Sequence, residues 1–418
     1  MPKHSSSTGS SETLHRVSDG PVRRVLVSAG DPSGDLILAK VVAEIRSKNP
    51  NVEFVGLCGP ASEAAGVKKI ASSADVAVVG IWEVLFNLNK IFGVLGRLKN
   101  ELPRCTSVLC VDFPDFNLRL AALAQKLAKP VDYIVAPQVW AWRSGRMDLI
   151  RRLVRRLYPA LPFELNLFRD AGVDTRYFGH PMRDMLPARN RKDARTELNL
   201  ALNEKVLLLM PGSRKSEISK QLPLMIKALG EAQKLEARYA VDQRISHWKF
   251  LVPIAPGWSK QALLNCVGRD VRAKVEQLEN THQLIFSTDA KQCMMAADFG
   301  WITSGTATLE AAFYQLPHIL VYLLSGLSVF LIRQSSGYFS RPDACAGLPN
   351  ILMEKKVIPE LLQQDLTPRR LALDTLELLD HPSALAAMRR DLRYFPKILG
   401  EVGATSRIAQ DLMELWGF

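Results

Sequence analysis

Several patterns that mark other classes of protein are missing from this chain of 418 residues. Its six cysteines form no C-x-x-C pair, and its seven histidines have no metal-ligand spacing with one another or with cysteine. The sequence therefore argues against a disulfide scaffold and against a metal site built by the protein. We expect reduced cysteines in a cytosolic protein that uses neither a metal nor a cofactor.

Motifs for nucleic-acid binding and for membrane spans are missing too. The chain has no zinc-finger, KH or RNP spacing and no G-x-G-x-x-G turn, which argues against nucleic acid and dinucleotides as ligands. The longest uncharged apolar stretch, residues 319–332, is shorter than the roughly 20 residues that a membrane span needs. Residues 1–20 are polar and rich in serine, so we expect a disordered tail rather than a signal peptide.

The composition describes a large, basic, globular protein. Hydrophobic residues make up 47% of the chain, enough for an extensive core, and 418 residues are too many for one ordinary domain. The formal net charge of +12 predicts an acidic partner, such as a phosphorylated ligand or an anionic membrane surface.

Short apolar segments alternate with helical patterns along the chain, which is typical of doubly wound parallel sheets. The predicted strands cover residues 22–29, 51–58, 108–111, 133–136, 205–210, 248–254, 283–286, 299–303 and 318–322. A polar stretch at 186–195 divides them, so we predict an α/β protein with two Rossmann-like domains, 21–190 and 191–381, that face a cleft. Residues 382–418 are helical in pattern and return either to the first domain or to the partner subunit of a homodimer.

The segment 107–121, SVLCVDFPDFNLRLA, is the first candidate for chemistry. A buried strand leads directly to Asp112, and an apolar segment with helical spacing opens at Asn117. Ligands bind outside the carboxyl ends of parallel strands, where burial can turn an aspartate into a base. Capping of the helix is the alternative function; for Asp112 both interpretations stay open, and for Asp115 we favour the cap.

Two turns in the second half are candidates for binding phosphate. Residues 211–214, PGSR, end a predicted strand: Gly212 permits close approach, Ser213 offers a hydroxyl and Arg214 offers a forked donor. The alternative is a surface turn with a solvated arginine, and we favour the phosphate function.

The second of these turns, residues 303–310 (TSGTATLE), places Ser304, Gly305 and Thr306 at a predicted helix start, whose free N–H groups favour a diphosphate. Glu310 follows one turn later, where a carboxylate can accept the hydroxyls of a ribose. An ordinary capping box, with Thr306 as the cap and Glu310 solvated, explains the pattern equally well.

Two further segments carry aromatic residues. Gln138, Trp140 and Arg143 follow a predicted strand and would line an acceptor pocket, although core aromatics beside a solvated basic face explain the same pattern. His180, in GHP, is more typical of a structural histidine than of a catalyst.

Residues 81–98 hold more bulky apolar side chains than one helical stripe can bury: Trp82, Leu85, Phe86, Ile91 and Phe92. Beside basic residues such a patch suits an interfacial helix, and a core helix or a subunit contact is the alternative.

Taken in order, these motifs resemble those of the lipid-A-disaccharide synthase family, an inverting class of nucleotide-sugar glycosyltransferases. The matching pieces are SAGDPSGD, VDFPDFN, PQVWAWR, LPFE, GHPMRD, MPGSRKSEI, TSGTATLEA and LPNILM, and they span about residues 22–366. Three positions depart from the usual pattern, because the family usually has Glu at Asp31, a small residue at Pro32 and Ser at Gly347.

The resemblance implies a GT-B architecture and transfer of 2,3-diacylglucosamine from its UDP conjugate to 2,3-diacylglucosamine 1-phosphate (lipid X), without a metal, on the inner face of the cytoplasmic membrane. It implies that Asp112 is the catalytic base. It implies that the donor UDP is bound by Gly212, Ser213, Arg214, Ser304, Gly305, Thr306, Glu310 and Asn350. It places Asp31, Ser33, Gly34 and Asp35 with Gln138, Trp140 and Arg143 on the acceptor side, and it makes the patch of residues 82–92 a membrane contact.

Two rival functions remain at this point. One is a UDP-sugar epimerase of the same fold, which would need a different set of acid and base groups around a single sugar. The other is a relative that binds nucleotide-sugar or lipid without turnover, which only the changes at Asp31 and Gly347 support.

Overall fold

Two parallel sheets organise the protein. The computed structural model describes residues 23–76, 81–141, 145–186, 190–238, 245–323, 338, 341 and 343–418, with the backbone alone for 81–88. In this part of the chain each sheet has six strands, and every pair of neighbouring strands is parallel. The predicted pair of doubly wound α/β units is therefore confirmed.

The first sheet has the strand order β3-β2-β1-β4-β5-β6. Its strands are β1 Arg23–Ala29, β2 Val52–Cys58, β3 Lys68–Ser72, β4 Ser107–Val111, β5 Val131–Ile134 and β6 Arg156–Tyr158. All five residues of β4 are buried, because helices cover both faces of the sheet. The direction of the strand order reverses between β1 and β4, which makes their carboxyl ends the topological switch point of this sheet.

The second sheet repeats the plan with the order β12-β11-β10-β7-β8-β9. Its strands are β7 Val206–Met210, β8 Lys249–Pro253, β9 Leu284–Ser287, β10 Phe299–Thr303, β11 His318–Tyr322 and β12 Glu360–Leu362. Here the order reverses between β7 and β10, so a second switch point lies at their carboxyl ends.

Helices flank both sheets. Those of the first half are Pro32–Lys48, Pro60–Ala64, Ser73–Val76, Ile81–Glu101, Pro114–Lys126, Arg146–Leu153 and Glu164–Asp170. Those of the second half are Arg191–Glu197, Lys215–Arg238, Lys260–Asn265, Arg269–Asn280, Ala290–Ala296, Thr306–Phe313, Leu348–Met353 and Pro368–Asp380. The last helices are Pro382–Leu392, Phe395–Ile398 and Ala404–Trp416, and short 3-10 turns cover Leu102–Arg104, Pro181–Met185, Ile245–His247 and Gln363–Asp365.

The end of the chain returns to the first sheet only after residue 403. Met388, Leu392 and Phe395 still pack in a cluster with residues of the second domain. The helix Ala404–Trp416 instead packs its apolar face against the helix Pro32–Lys48 and the first sheet. Its Asp411 carboxylate accepts from Tyr158 Oη at 2.7 Å, and Trp416 Nε1 donates to the buried Asp132 carboxylate at 2.8 Å.

Several element boundaries differ from the sequence-based expectation. The helix expected to open at Asn117 begins at Pro114, and the helix after PGSR begins at Lys215 rather than near Glu217. β5 ends at Ile134 because Val135 adopts a left-handed φ of 61°. All six cysteines are free. Within the described residues the structure contains no helix with the length and hydropathy needed to cross a bilayer.

Candidate active site

The switch point of the first sheet brings two aspartates together. Ala29, at the end of β1, pairs in register with Val111, at the end of β4; Asp112 follows Val111 directly, and Asp31 follows Ala29 after Gly30. The Asp31 carboxylate lies close enough to Asp112 to raise the pKa of Asp112. Parallel register therefore creates a carboxylate pair from positions about eighty residues apart in sequence.

The backbone at Asp112 is strained and tightly held. Asp112 and Phe113 have φ angles of 46° and 52°, in the left-handed region that non-glycine residues rarely adopt. The carbonyl oxygen of Asp112 accepts from Asn117 Nδ2 at 2.7 Å and from Tyr133 Oη at 2.6 Å. Strain that buried neighbours maintain is typical of functional sites. The turn places Asp112 at the carboxyl end of β4.

The turn at Asp112 and Phe113 also explains why position 30 is a glycine. A Cβ at Gly30 would lie 2.2 Å from the ring of Phe113, so only glycine lets β1 and the turn after β4 approach this closely.

The electrostatics of Asp112 suit a general base. Burial, and after it the neighbouring carboxylate of Asp31, raise the pKa of Asp112 from its ordinary 3.8 to about 7, against the lowering effect of the Phe113 N–H and of Arg214. The residue is nevertheless partly exposed, which leaves it open to a substrate. A carboxylate with a pKa near 7 accepts a proton efficiently near neutral pH.

The residues that follow β1, from Asp31 to Gly34, differ in their exposure. The helix begins at Pro32, with Asp31 as its N-cap, and the Asp31 carboxylate accepts from Gly34 N at 2.6 Å. Ser33 is exposed at this end of the helix, whereas Gly34 is buried and its N–H is used by Asp31. Asp31 and Ser33 thus remain acceptor-side candidates.

Asp35 is a correction to the predicted acceptor side. Its side chain is buried and its oxygens accept from Gly59 N at 2.8 Å, Ala61 N at 2.9 Å and Ser62 N at 3.2 Å. These bonds fasten the start of the helix Pro60–Ala64. Because the carboxylate is used by backbone amides, Asp35 has a structural role.

Asp115, which we predicted to cap the helix Pro114–Lys126, does not occupy the cap position. The N-cap position is Phe113, and Asp115 lies in the first helical turn, where its carboxylate pairs with Arg146. The predicted cap was therefore wrong, although an acidic group in a first turn is favourable for the helix dipole.

Trp140 is held in place by a residue that the sequence did not single out. Trp140 Nε1 donates to Glu164 Oε1 at 3.0 Å, and Leu161 N donates to Glu164 Oε2 at 3.1 Å. Burial raises the pKa of Glu164 to about 7. Gln138 is exposed nearby, whereas Trp142 and Arg143 lie outside the described residues.

His180 is structural, as its sequence context indicated. Its Nδ1 accepts from Met182 N at 3.1 Å, and complete burial lowers the pKa of His180 to about 4. The ring is therefore neutral near neutral pH.

The switch point of the second sheet joins the two phosphate candidates. Ile302 pairs in register with Met210, and Thr303 Oγ1 donates to the Met210 carbonyl at 2.8 Å. The turn from Pro211 to Arg214 and the turn at Ser304–Thr306 therefore lie at neighbouring strand ends. Arg214 is exposed there, and Gly212 has a φ of +107°.

The helix after β10 lacks the capping box. Gly305, with a φ of 145°, occupies the N-cap position, and no side chain caps the helix that begins at Thr306. The exposed Gly305 and Thr306 leave this end of the helix open to solvent. Glu310 is half-buried rather than solvated: burial raises the pKa of Glu310, and the charge of Lys291 lowers it.

Asn350 is a second correction, because its amide is fully used within the protein. Its Nδ2 donates to Ile358 O at 2.9 Å and to Glu360 Oε1 at 2.7 Å, and its Oδ1 accepts from Val357 N at 2.8 Å. Glu360 in turn accepts from Gly347 N at 2.9 Å. Asn350 therefore shapes the turn at 346–348 and has no amide group left for a donor.

The two domains approach each other at these switch points. The charge of Arg214, in the second domain, lowers the pKa of Asp112 in the first. At the acceptor side, the ring of Trp140 meets Phe163 of its own domain at 5.2 Å and Tyr338 of the other domain at 5.5 Å, both edge-on. The catalytic candidate Asp112 and the phosphate candidate Arg214 thus come from different domains and are close enough to interact electrostatically.

The structure describes only part of the predicted membrane patch. The side chains of Trp82, Leu85 and Phe86 lie outside the described residues. Phe92 is 51% exposed, and the Arg119 guanidinium lies 5.7 Å from its ring centre. Ile91 is half-buried and packs in part against the core of the first domain.

In the ranges that the structure describes, no group of three or more His, Cys, Asp and Glu side chains is arranged to hold a metal ion.

The comparisons with known proteins agree with the motifs. A family model described as lipid-A-disaccharide synthetase matches residues 25–398. The lipid-A-disaccharide synthase of Syntrophus aciditrophicus is 37% identical over 393 residues, which cover 92% of this chain and 96% of that protein. That of Myxococcus xanthus is 36% identical over 395 residues, covering 94% and 97%.

Solved structures with little sequence similarity share the fold. The UDP-GlcNAc 2-epimerase of Neisseria meningitidis bound to UDP-GlcNAc has a TM-score of 0.57 at 14% identity and covers 94% of this chain and 100% of its own. A UDP-glucose: anthocyanidin 3-O-glucosyltransferase in complex with UDP has a TM-score of 0.59 at 11% identity, covering 94% and 98%. The fold is therefore GT-B, and it is common to transferases and epimerases.

Proposed function

The chain belongs to the lipid-A-disaccharide synthase family, and on that premise we propose that it transfers 2,3-diacylglucosamine from its UDP conjugate to the 6-hydroxyl of 2,3-diacylglucosamine 1-phosphate (lipid X). The products are the β-1,6-linked disaccharide 1-phosphate and UDP, in lipid A biosynthesis. One observation supports this assignment most directly: Asp112 follows β4 of the first sheet, Arg214 follows β7 of the second, and the two are near enough for the charge of Arg214 to lower the pKa of Asp112.

Asp112 is the proposed base. A sugar hydroxyl is a poor nucleophile near neutral pH, and removal of its proton during attack is typically worth roughly 10² to 10⁴ in rate. Attack on the face opposite UDP inverts the α-linked donor to a β-linked product through a transition state that resembles an oxocarbenium ion. A raised pKa makes Asp112 strong enough to accept this proton.

The second switch point provides for the leaving group. As the glycosidic bond breaks, the diphosphate gains negative charge, which the cation of Arg214 and the amide groups at the start of the helix Thr306–Phe313 stabilise. Glu310, one turn further on, accepts the ribose hydroxyls. Burial raises the pKa of this half-buried carboxylate, and the charge of Lys291 opposes the rise.

The acceptor lies on the wall of the first domain. Asp31 and Ser33 follow β1, and Gln138 and Trp140 follow β5, so all four come after strands of the sheet that carries Asp112. Trp140 provides an apolar face for the sugar or for the start of an acyl chain.

The membrane is the proposed source of both acylated substrates. Exposed Phe92 lies on the helix Ile81–Glu101 of the first domain, near the cationic Arg119, in a chain with a net charge of +12. An aromatic group beside positive charge suits the anionic interface, so we assign the protein to the inner face of the cytoplasmic membrane as a peripheral enzyme.

The direct test is product analysis by mass spectrometry. Incubation with UDP-2,3-diacylglucosamine and 2,3-diacylglucosamine 1-phosphate should yield the disaccharide 1-phosphate and one UDP per product. Incubation with UDP-N-acetylglucosamine alone tests the epimerase alternative, and an epimer there would overturn the proposal. Binding of both substrates without UDP release would favour a non-catalytic relative.

A further inference from the structure

The turn at residues 211–214 (PGSR) already binds a carboxylate of the protein, that of Glu217. Ser213 N donates to Glu217 Oε2 at 3.1 Å, and Arg214 N donates to the same oxygen at 3.3 Å. A Cβ at Gly212 would lie 2.4 Å from that oxygen, so glycine is required for the carboxylate to enter the turn. The backbone amides that would otherwise bind a phosphate are therefore used by Glu217.

The same carboxylate reaches the arginine side chain. Glu217 Oε1 lies 3.4 Å from Arg214 Nη1, and the side chain of Glu217 is 12% exposed whereas that of Arg214 is 52% exposed. Trp258 Nε1 holds the turn from its other side by donating to Ser213 O at 2.9 Å. A largely buried carboxylate thus contacts one corner of an exposed guanidinium.

We propose that Glu217 is a positioning residue for Arg214, and that the donor diphosphate is bound by the guanidinium and not by the amides of the turn. This inference rests on the proposed function. A guanidinium has five N–H donors, and the single contact with Glu217 leaves the others for phosphate oxygens. Holding the fork in one orientation reduces the entropy that the long side chain loses when the donor binds.

A different role for Glu217 predicts the opposite effect. If the carboxylate merely fills an empty phosphate site and leaves when the donor arrives, its negative charge competes with UDP. Removing that charge would then tighten UDP binding. The sign of the change in affinity separates the two roles.

The test is a double-mutant cycle on UDP affinity, measured by calorimetry with the full-length protein. Glu217→Gln keeps the size of the side chain and should weaken UDP binding about tenfold, since a hydrogen bond to a charged group is lost. In an Arg214→Ala background the same substitution should change the affinity less than about twofold, because the residue through which Glu217 acts is gone. Glu231→Gln, in the same helix and paired with Lys234, is the matched control and should have no effect.

Each outcome decides. Tighter UDP binding by Glu217→Gln, or equal losses in both backgrounds, overturns the inference, because a structural contribution would be additive. An unchanged affinity for Glu217→Gln beside a weakened Arg214→Ala overturns the inference and leaves the proposed function in place. An unchanged affinity for Arg214→Ala overturns the phosphate role of Arg214 in the proposed function together with this inference. Glu217→Asp, which keeps the charge but is one methylene shorter, should lie between wild type and Glu217→Gln.

Discussion

Asp31 and Asp112 form a carboxyl pair at the point where the order of the first sheet reverses, and the charge of Asp31 raises the pKa of Asp112. Each carboxylate also accepts a hydrogen bond from a nearby backbone amide. Asp31 caps the helix Pro32–Lys48, and Asp112 accepts from the N–H of Phe113 at 2.8 Å. Two carboxyl groups this close do not ionise independently. Asp31, an acceptor-side candidate, therefore influences the protonation of Asp112, the proposed base.

The pH dependence of the reaction should report this pair. We expect kcat/KM to fall below a pH of about 7, where Asp112 becomes protonated. Asp31→Asn should move this limb to lower pH, because loss of the neighbouring charge lowers the pKa of Asp112, while Asn still caps the helix. Asp115→Asn, which removes an exposed carboxylate paired with Arg146, is the control and should leave the limb in place. An unshifted limb in Asp31→Asn would show that the pair does not set the pH dependence.

The same burial should cost stability at high pH. The pKa of Asp112 is about 7 in the folded protein and ordinarily 3.8, so the folded state binds the proton more tightly than the unfolded state. This contribution to stability is complete below the lower value and is lost as the pH rises through 7. Asp112→Asn should therefore raise the free energy of unfolding at pH 8 by about 2–4 kcal/mol.

Urea denaturation at several pH values tests this expectation. The advantage of Asp112→Asn over wild type should grow between pH 4 and pH 7, in line with the two pKa values, and then level off. A difference that stays constant across this range would mean that the carboxyl is not desolvated in the folded protein.

How much of this could be read from the sequence depends on whether the relevant contacts are local. The strand end at Asp112 and the turns at 211–214 and 303–306 were found because apolar runs that stop at polar turns mark the carboxyl ends of buried strands. Parallel alternation was enough to predict the two sheets, and β10 and β11 have the predicted bounds.

The roles of Asp35, Asn350 and Glu217 were not predictable in that way. Each is decided by which backbone amides come within reach after folding: Gly59 for Asp35, Val357 for Asn350 and Ser213 for Glu217. A buried carboxylate or amide with all its bonds satisfied has the same sequence signature as one that binds a ligand. Glu164 could have been noted, since LPFE was among the matched motifs, but its bond to Trp140 depends on tertiary structure.

Glu164 should act on the acceptor through Trp140. Glu164→Gln leaves one oxygen where the carboxylate used two, so either Trp140 Nε1 or Leu161 N loses its acceptor. We expect a loss of about 1–3 kcal/mol in stability and a raised KM for the acceptor with an unchanged KM for the donor. Steady-state kinetics with each substrate varied in turn measures both constants, and an equal rise in the two would contradict a role on the acceptor side.

Phe92 should contribute to membrane binding. Phe92→Ser is expected to reduce co-sedimentation with anionic phospholipid vesicles by about tenfold, the loss expected when one aromatic side chain no longer enters the interface. Leu202→Ser removes a residue of the second domain that is 63% exposed and is the matched control. Equal losses for both variants would argue that general surface hydrophobicity, and not this helix, binds the vesicles.

The central claim is that Asp112 removes the proton of the acceptor while the second domain holds UDP. The most direct measurement is the single-turnover rate of Asp112→Asn with UDP-2,3-diacylglucosamine and 2,3-diacylglucosamine 1-phosphate, together with its affinity for UDP. We expect the rate to fall by roughly 10² to 10⁴ while the affinity for UDP stays close to that of wild type. A rate like that of the wild-type protein would contradict the claim.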